Sequence, residues 1–295
     1  MNSAFRSQIQ EHLSKLLNSH VDDFTLESIH GGSINDVFRL ETDQNFSLCC
    51  KINDAPKFPG MFAAEKAGLE LLDAQKIFRV PKVYGHTIIE NKQLLFLEWI
   101  GKGKKTKLFW QKFGERLSEL HSINTEQFGS DHNNYMGALS QSNRRHKAWS
   151  AFFLHERIVP QVKLAIDAGL LQASCASSIG KLSPILDSMF GSSTPALVHG
   201  DLWNGNFLCD DNDEPVLIDP AVYFGHPSVD LGLTTLFGGY DKQFYEAYHH
   251  LKPFTANYQE QWEICNLYPL LIHLNLFGSG YLPDVLAIMR KYGIL

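Results

Sequence analysis

Cysteine is scarce in this 295-residue chain: Cys49, Cys50, Cys175, Cys209 and Cys265 make an odd five with no C-x-x-C spacing. That excludes a disulfide framework and a zinc ribbon, and the expectation is reduced thiols in a cytoplasm. No basic stripe long enough to track a phosphate backbone is present, and 26 Lys and Arg stand against 32 Asp and Glu for a net charge of -6. Nucleic acid is therefore not an expected partner. The N-terminus lacks a continuous apolar run. Phe5, Ile9, Leu13 and the Leu16/Leu17 pair instead share one face of a helix, which is not the pattern of a signal peptide. Residues 264–283 carry no charged side chain, but Asn266, Pro269, His273, Asn275, Gly278, Ser279 and Gly280 interrupt them. The expectation is a buried helix with its ending loop, and no membrane partner. Internal repeats and low-complexity tracts are also missing.

Hydrophobic residues at 44%, charged residues at 20% and aromatics at 12% describe a folded globular enzyme, and the length suits one large domain or two small ones. After the first helix, residues 24–30 alternate as a strand, Gly31-Gly32 breaks the pattern, and residues 36–40 alternate again. A third strand ends near Lys51 before the Pro56, Pro59 and Gly60 cluster. A helix over 61–76 and strands over 83–89 and 93–99 complete a β-rich lobe. Residues 101–106, Gly-Lys-Gly-Lys-Lys-Thr, form the clearest compositional break and read as a connection between lobes. They do not fit the G-x-x-x-x-G-K-[ST] phosphate loop. Helical periodicity then covers 107–123, 149–167 and 170–190, short strands cover 196–198 and 216–218, and the chain from Asp230 onward is mostly helical. The layout is α+β, a β-rich first part before a mainly helical second part.

The densest chemical signal is His199-Gly200-Asp201-Leu202-Trp203-Asn204-Gly205-Asn206, followed by Ile218-Asp219-Pro220. Asp201 and Asn206 stand at the spacing of the kinase catalytic loop H-R-D-L-x-x-x-N, in which the Asp accepts the substrate hydroxyl proton and the Asn holds Mg²⁺, and Asp219 takes the place of the later metal-binding Asp. Phosphoryl transfer needs such a set: one carboxylate beside the acceptor and two oxygen ligands for the metal that neutralises phosphate charge. Singly, Asp and Asn are ordinary turn formers; together, at this spacing, they point to a two-lobed protein-kinase-like fold. Its expected lobes are an N-terminal ATP-binding lobe over 1–100 and a C-terminal catalytic and substrate lobe over 101–295. The upstream half is then Gly31, Gly32 and Ser33 as the turn over the phosphates, Lys51 as the strand lysine, and Glu65 as its helix partner. Glu70 competes for Lys51 but lies five residues further round the helix. Glu98 and Ile100 close the last strand of the lobe and are expected to read adenine through main-chain groups. His199 is assigned to fixing the catalytic loop, and Asp230 to a helix first turn with a bond to the loop backbone. His249-His250 and His155-Glu156 lack a third ligand at metal spacing.

These residues resemble the fructosamine kinase (ketosamine-3-kinase) family, within the aminoglycoside phosphotransferase-like kinases. The resemblance rests on HGDLWNGN and on IDPAVYFGHPSVDLGLTTLFGGY, and it runs in order from Gly31 to about Tyr240. It implies ATP- and Mg²⁺-dependent phosphorylation of a sugar O3 on ketoamines such as fructosamines or ribulosamines, as small molecules or on glycated protein lysines. It also implies Asp201 as base, Asn206 and Asp219 as metal ligands, Lys51 with Glu65 at the phosphates, and Trp203 facing the sugar. Three positions depart from the family pattern: Ser33 stands where relatives often carry Cys, Asn204 where Ser is common, and Tyr223-Phe224 where two tyrosines are frequent. A thiol switch in the glycine turn is thus not expected.

Two other readings compete. One is an aminoglycoside or amino-alcohol phosphotransferase, which the uncharged 264–283 stretch opposes because a polycationic drug calls for carboxylates. The other is a catalytically dead nucleotide-binding module, opposed by the presence of Lys51, Asp201, Asn206 and Asp219 together. The particular sugar, the amine carrier and the oligomeric state stay open.

Overall fold

The computed structural model describes residues 3–29, 34–238 and 240–295. They form two compact units, the first reaching Lys104 and including Leu208–Asp219, the second made of Lys105–Phe207 and Pro220–Leu295. The short segment ending in Asp219, which a boundary after residue 100 would give to the second lobe, thus groups with the first unit.

In the first unit α1 (Ser3–Leu17) precedes β1 (Phe24–Ser28), β2 (Asp36–Thr42) and β3 (Ser47–Asp54). Helix α2 (Met61–Ala74) then leads to β4 (Val83–Ile89) and β5 (Lys92–Glu98). The strands make one antiparallel sheet in the order β1-β2-β3-β5-β4. Ile9 and Leu13, four apart on α1, are buried with Leu40, Leu48, Cys50 and Phe96 of the sheet. Helix α2 buries Phe62, Glu65, Leu69 and Leu72 along one stripe, so the spacing that makes it amphipathic also turns a carboxylate inward.

The second unit starts with α3 (Lys107–Leu120), capped by Thr106, whose hydroxyl accepts the Phe109 N–H at 3.2 Å. A small hairpin, β6 (Asn134–Met136) and β7 (Leu139–Gln141), comes next. Helix α4 (Trp149–Phe152) runs through a π-helical turn, Phe153–Ile158, into α5 (Val159–Asp167). Pro160 has no N–H for the Glu156 carbonyl, and the Arg157 guanidinium donates to that carbonyl at 3.1 Å instead. The short α6 (Ser174–Ser178) and α7 (Leu182–Phe190) precede β8 (Ala196–Val198). The chain then makes the hairpin of β9 (Phe207–Cys209) and β10 (Pro215–Leu217), which from Leu208 on belongs to the first unit, and back in the second unit β11 (Tyr223–Gly225) pairs antiparallel with β8.

The chain ends in α8 (Ser228–Leu236), α9 (Lys242–Leu251), α10 (Tyr258–Phe277) and α11 (Leu282–Lys291). Helix α10 holds most of the uncharged stretch and is buried nearly all round, Ile264, Leu267, Leu271 and Leu274 being fully enclosed. Each such side chain contributes about 1.5–3 kcal/mol over an exposed one. Among the described residues no helix is long and apolar enough to cross a membrane.

Candidate active site

In the first unit the site is organised around one ammonium. Lys51 lies in β3 between Val37 of β2 and Leu95 of β5, in a register that turns its side chain toward α2. Its Nζ stands 2.6 Å from Glu65 Oε1 and 2.5 Å from Asp219 Oδ1. Lys51 and Glu65 are buried, whereas the Asp219 side chain is 40% exposed. Burial opposes the charge on Lys51, but Asp219 and Glu65 outweigh it and hold the pKa above the usual lysine value. Burial pushes Glu65 up to about 7, with the Lys51 charge opposing and Asp219 adding to the rise. One cation between two carboxylates leaves a net negative charge, so the more buried carboxylate is the one that protonates readily. Glu70 is exposed on α2 and pairs with Lys66, 3.7 Å away.

Asp219 follows β10 with φ of +54°, a left-handed conformation uncommon outside glycine. A short polar side chain tolerates it better than a branched one. The bend comes where β10 ends and Pro220 follows.

In the second unit the catalytic-loop sequence folds back on itself. Asn206 donates its side-chain amide to the Asp201 carbonyl at 2.8 Å and to Asp201 Oδ2 at 2.9 Å. The Asp201 carbonyl also accepts the Trp203 N–H at 3.1 Å, and the Trp203 carbonyl accepts the Asn206 N–H at 3.0 Å. The five-residue spacing therefore brings the two side chains into contact. With its nitrogen committed to Asp201, Asn206 keeps Oδ1 as the atom suited to a hard cation. Trp203 is 37% exposed, and its ring lies so close over Gly205 that a Cβ there would sit 2.3 Å from ring carbons.

The loop is fastened from behind. Asp230, fully buried in the first turn of α8, accepts the His199 N–H at 2.7 Å and the Gly200 N–H at 2.8 Å. His199 accepts the Asp201 N–H on Nδ1 at 3.3 Å, and its carbonyl accepts the Ala221 N–H at 2.9 Å. Gly200 has φ of +84°, and a side chain there would strike the Ala221 carbonyl at 2.2 Å. Behind Asp230, His121 Nε2 lies 3.2 Å from Oδ2, and its Nδ1 lies 2.9 Å from the Tyr248 hydroxyl. Because an ionised carboxylate only accepts, Nε2 carries the proton and Tyr248 donates to Nδ1. Burial holds the His121 pKa below its usual value despite Asp230. Tyr240 adds a hydrogen bond from its hydroxyl to the Leu202 carbonyl at 3.2 Å.

A family model described as fructosamine kinase matches residues 5–293. The chain belongs to that family. A "probable ketoamine kinase" of Synechocystis sp. is 38% identical over 265 residues, covering 90% of this chain and 88% of its own. The chloroplastic protein-ribulosamine 3-kinase of Arabidopsis thaliana is 32% identical over 275 residues, covering 90% of this chain and 81% of its own. Among solved structures, a "putative fructosamine-3-kinase" from Haemophilus somnus superposes with a TM-score of 0.87 at 25% identity, covering 96% of each chain. The α+β architecture seen here, an antiparallel sheet unit and a helical unit, is thus the architecture of this kinase family.

Other residues expected at the site fall as follows. Gly31, Gly32 and Ser33 lie outside the described residues. The Glu98 N–H is spent on the Lys82 carbonyl at 2.8 Å, so it is not a group Glu98 offers to a purine. Its side chain reaches Arg79 Nη2 at 2.6 Å and accepts the Lys82 N–H at 3.1 Å. Ile100 is buried. Tyr223 is buried too, with the Arg157 guanidinium 4.2 Å from its ring centroid, so it packs inside the unit. His121, Tyr240 and Tyr248 support the loop without any signal in the sequence. They reach it from more than 35 residues away, and no local spacing marks them.

Proposed function

We propose that the chain is an ATP- and Mg²⁺-dependent kinase that phosphorylates the sugar O3 of ketoamines, fructosamines or ribulosamines, free or carried on protein lysines. The observation that carries this reading is the Asp201–Asn206 contact within a catalytic loop fixed by Asp230, in a chain of the fructosamine kinase family.

Each residue has a role its chemistry suits. Asp201 accepts the proton of the sugar hydroxyl as the O3–P bond forms and the bond to the ADP oxygen breaks. Asn206, through Oδ1, and Asp219, through its half-exposed carboxylate, are each an oxygen ligand of the kind Mg²⁺ prefers. Mg²⁺ held by such ligands neutralises charge on the phosphate oxygens. Lys51, oriented by Glu65, places its ammonium at the α- and β-phosphates. By their place in the sequence ahead of Lys51, Gly31, Gly32 and Ser33 are the residues we assign to the phosphates, and to main-chain atoms near Glu98 and Ile100 we assign the adenine. Trp203 offers a half-exposed ring for the sugar to lie against, with its indole N–H for a hydroxyl.

We place the reaction in the cytoplasm, where ATP is abundant and where five cysteines without C-x-x-C spacing would stay reduced. Phosphorylation of a protein-bound ketoamine would serve to reverse glycation. The test is ADP release by the purified protein with ribulosamines, fructosamines and aminoglycosides side by side. Release with ketoamines alone supports the proposal, and release with aminoglycosides alone overturns it.

A further inference from the structure

Within the first unit one guanidinium ties together two segments that the proposed nucleotide site depends on. Arg79 precedes β4. Its Nη2 donates to Glu98 Oε1 at 2.6 Å at the end of β5, and its Nη1 donates to Asp210 Oδ2. Its main chain takes part as well: the Arg79 carbonyl accepts the Leu217 N–H at 3.0 Å, in a parallel bridge to Val216. Leu217 is two residues before Asp219. Arg79 therefore grips the β9–β10 hairpin at its turn and at the strand that leads into Asp219.

Asp210 is built for this contact. Its side chain is only 3% exposed, and Oδ1 accepts the N–H groups of Asn212 and Glu214, both at 2.9 Å, which closes the hairpin turn. Oδ2 is left for Arg79. Although burial works against its charge, these N–H bonds and the guanidinium hold the Asp210 carboxyl below the ordinary aspartate value. The lysine-rich segment after β5 lies on the same turn. The Gly103 N–H donates to the Cys209 carbonyl at 2.8 Å, and the Lys104 N–H donates to Asp213 at 2.8 Å. A Cβ on Gly101 would meet the Asp211 carboxylate at 2.1 Å, and one on Gly103 would meet the Asp210 carbonyl at 1.8 Å. Gly103 is thus explained by close backbone approach to the hairpin and Gly101 by the Asp211 carboxylate beside it, and the hairpin belongs to the first unit because Arg79 and this segment fasten it there.

We propose that Arg79 is a positioning residue for phosphoryl transfer, coupling the strand end at Glu98 to the hairpin that presents Asp219. In this role Arg79 acts through the hairpin and not on substrate or metal itself: it fixes the segment from which Asp219 reaches out. The inference rests on the metal role proposed for Asp219, and the experiment separates the two.

The experiment compares Arg79→Met, Arg79→Lys and Asp210→Asn with the parent enzyme by amide hydrogen exchange over residues 208–219, Mg²⁺ titration of activity, ketoamine KM and thermal melting. Asp210→Asn keeps an oxygen for the hairpin turn while losing the charged contact, so it tests the grip without removing the turn. The expected result is about tenfold faster exchange at 216–219 and about a tenfold higher Mg²⁺ requirement in Arg79→Met, the size of one lost charge-assisted hydrogen bond. Asp210→Asn should shift both in the same direction, Arg79→Lys should recover part of the loss, and the ketoamine KM should stay put. Unchanged exchange and unchanged Mg²⁺ requirement in Arg79→Met and Asp210→Asn would overturn the proposal. So would a loss that follows the melting temperature and raises the ketoamine KM equally, which marks Arg79 as merely structural. If Asp219→Ala keeps full activity, the metal role of Asp219 fails, and exchange over 216–219 still reports separately whether Arg79 holds the hairpin.

Discussion

Asn206 donates its side-chain amide to the carboxylate of Asp201 at 2.9 Å, while the same nitrogen holds the Asp201 carbonyl at 2.8 Å. The carboxylate proposed as the base is thereby aimed by the residue five positions on. An asparagine at 201 can still accept from Asn206, but it cannot take a proton from a hydroxyl. Asp201→Asn is expected to keep its melting temperature and its affinity for ATP while kcat falls about 10²–10⁴-fold. Single-turnover kinetics beside nucleotide titration check this, and a kcat near the parent value would remove Asp201 from the chemistry.

Asp219→Ala should cost more activity than Asn206→Ala, because a carboxylate neutralises and fixes Mg²⁺ better than a neutral amide does. Removing Asn206 also frees Asp201 from its amide contact, so excess Mg²⁺ should restore this variant only in part, yet further than Asp219→Ala. Mg²⁺ titrations of both variants measure the difference. Equal losses that ignore Mg²⁺ would contradict the roles given to the pair.

Glu65 gives a pH signature. Its carboxyl is pushed up to about 7 from an ordinary 4.5 by burial, against the opposing charge of Lys51. Between those values the native state binds more protons than the unfolded chain, so stability from this group is fully present below the unfolded pKa and is lost as pH rises through the folded one. Glu65→Gln cannot titrate. The stability of the parent relative to Glu65→Gln should therefore fall between pH 4.5 and 7, by up to roughly 3 kcal/mol. Denaturant unfolding of both proteins across that range measures the change, and parallel curves would contradict the raised pKa.

Much of this arrangement is legible in the sequence, for reasons that are local. The β3 strand and the α2 helix follow from periodicity, and the kinase pattern of a strand lysine and a helix glutamate, called for by the downstream Asp201–Asn206 motif, then pairs Lys51 with Glu65. Asp201 and Asn206 meet because they stand five positions apart in one loop. What escapes the sequence is non-local. Arg79 and Asp210 are 131 residues apart, and His121 and Asp230 are 109 apart, so no spacing predicts either pair. The three-residue strands β6 and β7 are too short for alternation to announce them. A boundary drawn after residue 100 follows composition, whereas hydrogen bonds to Arg79 and Gly103 carry Leu208–Asp219 into the first unit.

Trp203 and Gly205 make a linked pair. The ring is 37% exposed and lies against Gly205, where a Cβ would come within 2.3 Å of it. If the ring is a platform for the sugar, Trp203→Leu raises the ketoamine KM and leaves the ATP KM alone. Gly205→Ala displaces the ring and should raise the same KM in the same direction. Steady-state kinetics with a ribulosamine and a fructosamine, beside thermal melts, check both variants. An unchanged ketoamine KM with a lowered melting temperature in Trp203→Leu would assign the ring to structural support of the loop.

The proposed chemistry is decided most directly by the identity of the phosphorylated atom. Purified protein, ATP and Mg²⁺ are incubated with a ribulosyl-lysine or fructosyl-lysine derivative, and phosphorus–proton correlation NMR locates the ester in the product. The expected product carries one phosphate on O3 of the sugar, formed one for one with ADP and absent with Asp201→Asn. A phosphate on another hydroxyl, or ketoamines left unmodified while an aminoglycoside is phosphorylated, would contradict it.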